Sequence, residues 1–231
     1  LYRSQGQGVY ALLVLPALFL ASLAVRARAP GPGVVPAAAR FVRTWAVVFA
    51  LAALLDPIAT GLFGWPMVPF VLLGDYRVFA LLLVVMQPGR SWPGALVEAA
   101  AWTLVVPALA YGLHRGLGVV RGEQPEMMLW LVYEIAFVLL ALGLAVRLVP
   151  ARVGLERRAA RRYLYAILAI VGAYYGLWAT ADLIILSGRD WGWALRIVPN
   201  QLYYGVFVPA AYALFFASRN AASSTSTHAA R

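Results

Sequence analysis

Uninterrupted apolar runs recur along the whole chain, and no other feature narrows its possible folds so far. They cover residues 9–25, 41–63, 66–86, 92–113, 126–149, 163–186 and 197–217. A hydrocarbon core roughly 30 Å thick takes about 20 helical residues to cross. Barrel strands would alternate apolar and polar side chains over about 10 positions, whereas these runs are apolar throughout. With no water in the bilayer core to satisfy backbone N–H and C=O groups, helices are the remaining solution. The predicted fold is therefore an all-α integral membrane protein, a bundle of about seven transmembrane helices over residues 1–217. The first run carries Pro16 and the third begins among Pro66 and Pro69, so these two boundaries are the least constrained. Residues 218–231, reading SRNAASSTSTHAAR, are too poor in apolar side chains to pack and are predicted to form a disordered cytoplasmic tail.

Composition agrees with a lipid solvent and closes several functional routes. Of 231 residues, 63% are hydrophobic and 12% charged, against about 45–50% and 25% in soluble domains. The absence of cysteine excludes disulfides, thiolate metal sites and cysteine nucleophiles. The two histidines, His114 and His228, lie outside the predicted spans, which argues against an intramembrane bis-histidine haem and against zinc. All 19 basic residues are arginine, so no lysine can carry a retinal Schiff base. No cofactor or metal is expected. The net charge of +10 does not imply nucleic-acid binding, because the arginines follow the membrane instead of forming one soluble basic face.

Arginine placement sets the orientation, since positive residues are retained on the cytoplasmic side. One set of alternate loops holds Arg26, Arg28, Arg40, Arg43, Arg90, Arg147, Arg152, Arg157, Arg158, Arg161, Arg162, Arg219 and Arg231, thirteen in all; the other holds Arg3, Arg115, Arg121, Arg189 and Arg196, five in all. The N-terminus is thus predicted outside and the C-terminus in the cytoplasm. A multi-pass protein of a prokaryotic inner membrane is the expected setting. The first run follows a short polar lead without the basic region of a signal peptide, so it reads as a span. The Pro, Gly and Ala-rich stretch 29–39 reads as a cytoplasmic loop. The basic run 152–162 reads as either an orientation signal or a contact with anionic headgroups.

An internal echo is also visible. Asp56, Gly64 with Trp65, and Val78 with Phe79 recur as Asp182, Gly192 with Trp193, and Val206 with Phe207, at offsets of 126, 128 and 128 residues. This spacing suggests two three-helix units in parallel orientation joined by the fourth span. The resulting 3+1+3 layout is similar to that of the PQ-loop and sugar-efflux families. The resemblance covers layout alone, and no proline-glutamine dipeptide stands at the start of span one or five.

The functional clue lies in the acids. Of nine acidic residues, Asp56, Asp75, Glu98, Glu134 and Asp182 fall within spans away from their terminal residues, and Arg77 is the single base so placed. Ionisable groups at membrane depth cost roughly 2.5–3.5 kcal/mol each on insertion scales and face the bundle interior or a wetted cavity. Five carboxylates against one guanidinium would leave −4 if all were ionised, so some must be protonated, wetted or matched by a cation. Helical rise puts Glu98 near the cytoplasmic face, Asp75 and Arg77 near the midplane, and Asp56, Glu134, Asp182, Asn200 and Gln201 in the outer half. A polar pocket open to the outside is the expectation, lined by spans two, three, five, six and seven. Asp75 and Arg77 point about 200° apart on their helix, so Arg77 is expected to reach another helix and pair with Asp56 or Asp182.

Trp130 precedes Glu134 by four residues and Trp178 precedes Asp182 by four, so each pair shares a helix face. With Tyr175, Tyr203 and Tyr204, an aromatic and acidic pocket for an organic cation emerges; as an alternative, the tryptophans anchor the span ends at the interface. Pro57 follows Asp56 and Pro199 precedes Asn200, where backbone carbonyls can be freed. Candidate solute- or ion-binding residues are Asp56, Asp75, Arg77, Glu134, Trp178, Asp182, Asn200 and Gln201. Three functions stay open: a carrier for a small polar or cationic solute, linked to protons or cations; an intramembrane enzyme acting on a lipid or isoprenoid through a carboxyl acid; and a non-catalytic subunit or sensor. No GxSxG, HExxH or aspartate-rich diphosphate motif supports the enzyme. Expected partners are the lipid bilayer and a small solute or proton.

Overall fold

A computed structural model describes residues 9–27, 37–87 and 89–228, with side chains over residues 12–24, 37–87 and 89–217. It is an all-α bundle of seven long helices, in agreement with the fold class read from the sequence. They are α1 (Val9–Ala27), α2 (Ala37–Leu62), α3 (Val68–Met86), α4 (Trp92–Arg121), α5 (Glu126–Arg152), α6 (Leu155–Leu186) and α7 (residues 197–228). Five of them, α2 to α6, are long and apolar enough to cross a membrane, and α1 contributes the shorter apolar stretch Leu12–Ala24. Several ends differ from expectation. Helix α4 runs on to Arg121, so His114 lies inside it and not beyond its end. Helix α6 takes in the arginines of 157–162, because Arg and Ala are strong helix formers whatever their polarity. The backbone of α7 continues as helix through His228, past the boundary at 217 given to the transmembrane domain.

The bundle is organised around α3. From residue 74 to 86 every side chain of this helix except Tyr76 is buried, and a helix apolar on all sides belongs in an interior. Helix α3 packs against α2, α4 and α6, while α1 closes the ring by lying between α2 and α7. Small residues make the close approaches possible: Ala46, Ala50 and Ala53 on α2 and Ala95, Ala99 and Ala110 on α4 are all buried. The Trp45 indole donates to Arg77 O at 2.9 Å and ties α2 to α3. Below Arg77, the block Val78–Met86 belongs with Phe137, Leu164, Ile167 and Leu168 to one buried apolar cluster, a plug beneath the polar groups.

Each of α2, α5 and α7 contains one wider π-type turn, at Pro57–Leu62, Leu144–Leu148 and Leu202–Val206. In α2 the cause is local. Pro57 brings no N–H and its ring crowds the preceding turn, and the Thr60 hydroxyl takes up the Asp56 carbonyl at 2.8 Å. Gly64 then ends the helix at φ +68°, a backbone that a side chain disfavours. Gly192, its counterpart in the echo, is needed for a different reason: a Cβ there would meet Ala181 O at 2.7 Å. That close approach lets the short turn Trp191–Leu195 fold back onto the end of α6.

By the positive-inside count, the arginine-rich end of the bundle is cytoplasmic, and there the arginines do structural work. Arg157 donates to Met86 O at 2.9 Å and Val85 O at 2.8 Å, capping carbonyls that the end of α3 would otherwise leave unpaired. Glu98 accepts from Arg152 at 2.6 Å and also pairs with Arg90, clasping α4 to α5. The basic run thus has two members, Arg152 and Arg157, engaged in the protein itself. Arg157→Gln is expected to cost about 1–2 kcal/mol, since two charge-assisted bonds at a half-buried site are lost. Thermal unfolding in detergent should register it as a fall of a few degrees, and an unchanged midpoint would show the cap to be dispensable.

Candidate functional site

The end of the bundle opposite the arginine-rich one opens into a cavity of about 520 Å³, within the 300–1,000 Å³ typical of small-molecule sites. Its walls come from the end of α2, the starts of α3, α5 and α7, the outer part of α6, and Leu12 of α1. Trp130, Tyr133, Tyr175, Trp178, Tyr203 and Tyr204 follow one another round it with neighbouring ring centroids 4.8–6.2 Å apart. Glu134 is the buried acid on its wall and Glu126 stands on the same helix nearer its end. Trp178 donates its indole N–H to Asn200 Oδ1 at 2.9 Å, fixing the ring's orientation. Trp130 also lines the cavity and is half-buried.

The site residues named from the sequence take five different places relative to this cavity. Glu134, Trp178 and Asn200 line the cavity itself. Asp75 lies directly beneath, fully buried, and both of its oxygens accept hydrogen bonds from cavity-wall tyrosines, Tyr133 and Tyr175. Asp56 and Arg77 sit to one side around a small space of about 10 Å³, shared with Gly74, Tyr203 and Tyr204. Asp182 is fully buried behind the cavity wall. Gln201 is half-buried at the start of α7 and is not brought to the cavity.

Arg77 reaches another helix, as expected, but not a carboxylate. Its Nη2 donates to Tyr203 O at 2.8 Å, and its guanidinium lies 4.1 Å from the Tyr203 ring centroid and 4.9 Å from that of Phe207. Among the described residues it makes no ion pair with Asp56 or Asp182. The reason lies in the π-type turn of α7. There the Phe207 N–H bonds Leu202 O, one residue earlier than the Tyr203 carbonyl it would serve in a regular α-helix. Tyr203 O is left facing a donor from α3. Asp56 instead receives the Thr60 hydroxyl at 3.3 Å.

The partner of Asp182 is Arg196, which the loop count had assigned to the outer surface. Arg196 Nε lies 3.2 Å from Asp182 Oδ1 and its Nη2 3.9 Å from Glu134 Oε1. With Glu98 held by two arginines, four inner carboxyls face two guanidiniums, so the imbalance is smaller than five against one. Arg196 was missed because it stands outside the apolar run; its position four residues before Asn200, on the same helix face, was the available signal. Tyr133 was missed as well, although it adjoins Glu134 and stands three residues after Trp130. Glu134 Oε2 is buried and has no hydrogen-bond partner among the described residues.

Fold and site together define a multi-pass helical membrane protein with a cavity, of a size that fits a small molecule, open at one end of the bundle. Comparison with known proteins adds no family to this class: no family model, no curated protein and no solved structure matches the chain.

Proposed function

We propose that the chain is a carrier whose outward-open cavity takes a small polar or cationic solute, coupled to a proton held at Asp75. The observation that carries this reading is the hydroxyl bridge between cavity and buried acid. Tyr133 and Tyr175 belong at once to the cavity wall and to the coordination of Asp75. A solute that turns either hydroxyl changes the hydrogen bonds available to that carboxyl, and a buried carboxyl with fewer donors favours its protonated form. Binding and protonation are thereby linked, and linkage between two sites is reciprocal. The π-type turns of α2 and α7 flank the cavity, at positions where interrupted helices serve carriers. A prokaryotic inner membrane, which maintains a proton gradient, suits such coupling.

The apolar plug Val78–Met86 also supports a second reading, a receptor or sensor in which the cavity is a dead end. Reconstitution into vesicles separates the two. For a carrier, an imposed proton gradient drives accumulation of a bound solute, and Asp75→Asn abolishes gradient-driven accumulation while the purified variant still binds. Binding without flux in the unmodified protein would leave the receptor.

A further inference from the structure

We infer that the occupant of the cavity is an organic monocation, its ammonium group set between Glu134 and the aromatic faces of the wall. The inference rests on the cavity being a solute site, and three independent observations give it its chemistry.

The first is an unanswered acceptor. Glu134 is 4% exposed and lines the cavity, yet its Oε2 has no hydrogen-bond partner among the described residues. Burying a carboxylate oxygen unpaired is costly, so the site is arranged for a donor or a cation. The second is local charge. Arg196 stands nearest to Asp182, and its approach to Glu134 is longer, 3.9 Å against 3.2 Å. Among the buried groups, two carboxylates and one guanidinium leave one negative charge when both acids are ionised; Glu126 is exposed to solvent and stands outside this count. A monovalent cation balances that charge, whereas an anion would face both Glu134 and the nearby Glu126.

The third is the aromatic belt. Ring faces carry negative potential and attract cations within about 6 Å of their centroids. Lower in the bundle the protein already uses this contact, with Arg77 over Tyr203 and Phe207. Around the cavity, Arg196 stands 5.7 Å from Trp193, but no guanidinium among the described residues lies over Trp130, Tyr133, Tyr175 or Trp178. The shared neighbourhood of Glu134 with Trp130 on one helix face and Trp178 across the cavity suits an ammonium group clothed in methyl or methylene carbons.

Titration of the full chain in zwitterionic nanodiscs, followed by tryptophan fluorescence, tests this with choline, tetraethylammonium and the neutral carbon isostere of choline, 3,3-dimethylbutan-1-ol. Expected is saturable binding of at least one cation, with the isostere and the Glu134→Gln variant each weaker by roughly tenfold or more. Trp130→Leu, at a half-buried position whose loss leaves the core packing intact, should also weaken cation binding severalfold, and a thermal melt confirms that each variant is folded. Equal affinity for choline and its isostere, unchanged cation affinity in folded Glu134→Gln, or no binding of either cation overturns the inference. Cation binding without flux in vesicles would remove the carrier and leave this assignment standing, whereas gradient-driven flux of a neutral or anionic solute would do the reverse.

Discussion

Arg77→Ala is expected to destabilise the bundle by about 3–5 kcal/mol, the usual result of removing one member of a buried charged contact. The side chain stands at the centre of the molecule, 2% exposed, with one bond to Tyr203 O and two ring faces beneath it. Its removal strips the π-type turn of α7 of its donor from α3 and leaves Asp56 and Asp75 without their nearest positive group. It also empties space next to Tyr203, whose hydroxyl already occupies the volume a side chain at residue 74 would need. In detergent the unfolding midpoint should fall on the order of 10 °C. Arg77→Lys should recover part of the loss, because an ammonium keeps the charge but not the planar fork that spans carbonyl and ring. A midpoint equal to that of the unmodified protein in Arg77→Ala would show that α3 and α7 are held by apolar packing alone.

Asp75→Ala should cost about 2–4 kcal/mol, because two buried tyrosine hydroxyls lose their acceptor together. The instructive comparison is not with the unmodified protein but with further truncation. If the loss arises from stranded hydroxyls, adding Tyr133→Phe and Tyr175→Phe to Asp75→Ala removes the unsatisfied groups, and the triple variant is expected to be more stable than the single one. Such a negative interaction energy is the signature of residues acting as one network. If each added truncation lowers the midpoint further, the two tyrosines contribute by packing, and the bridge that links cavity to acid in the carrier proposal loses its basis. The stacking of Tyr175 on Phe137, with centroids 4.1 Å apart, is retained by phenylalanine and so does not confuse the test.

The placement of the helices was legible because lipid leaves the backbone few choices. Span three was read at 66–86 and is found at Val68–Met86; span five was read at 126–149 and is found at Glu126–Arg152. The reading failed at helix ends carrying charge, as in α4 beyond Leu113 and α6 before Tyr163, where hydropathy falls but helix propensity does not. Within the candidate site, the gathering of Glu134, Trp178 and Asn200 at one end of the bundle follows from depth counting along each helix. The pairings do not. Arg77 was assigned a carboxylate partner on charge alone, and its acceptor is a backbone carbonyl displaced by one residue in the hydrogen-bond ladder of α7. No side-chain inventory contains that carbonyl.

Arg196 marks the same division from the other side. It was counted with the loops of the arginine-poor end, and its charge was spent in that count. Only the turn after α6, seated closely because Gly192 lacks a Cβ, returns it to Asp182 and Glu134. Apolar length is a property of the chain one segment at a time, so sequence alone determines where the long apolar helices lie. Which carboxyl meets which guanidinium depends on the rotation of each helix about its axis and on local widening of the backbone, and these are decided when all seven helices pack at once.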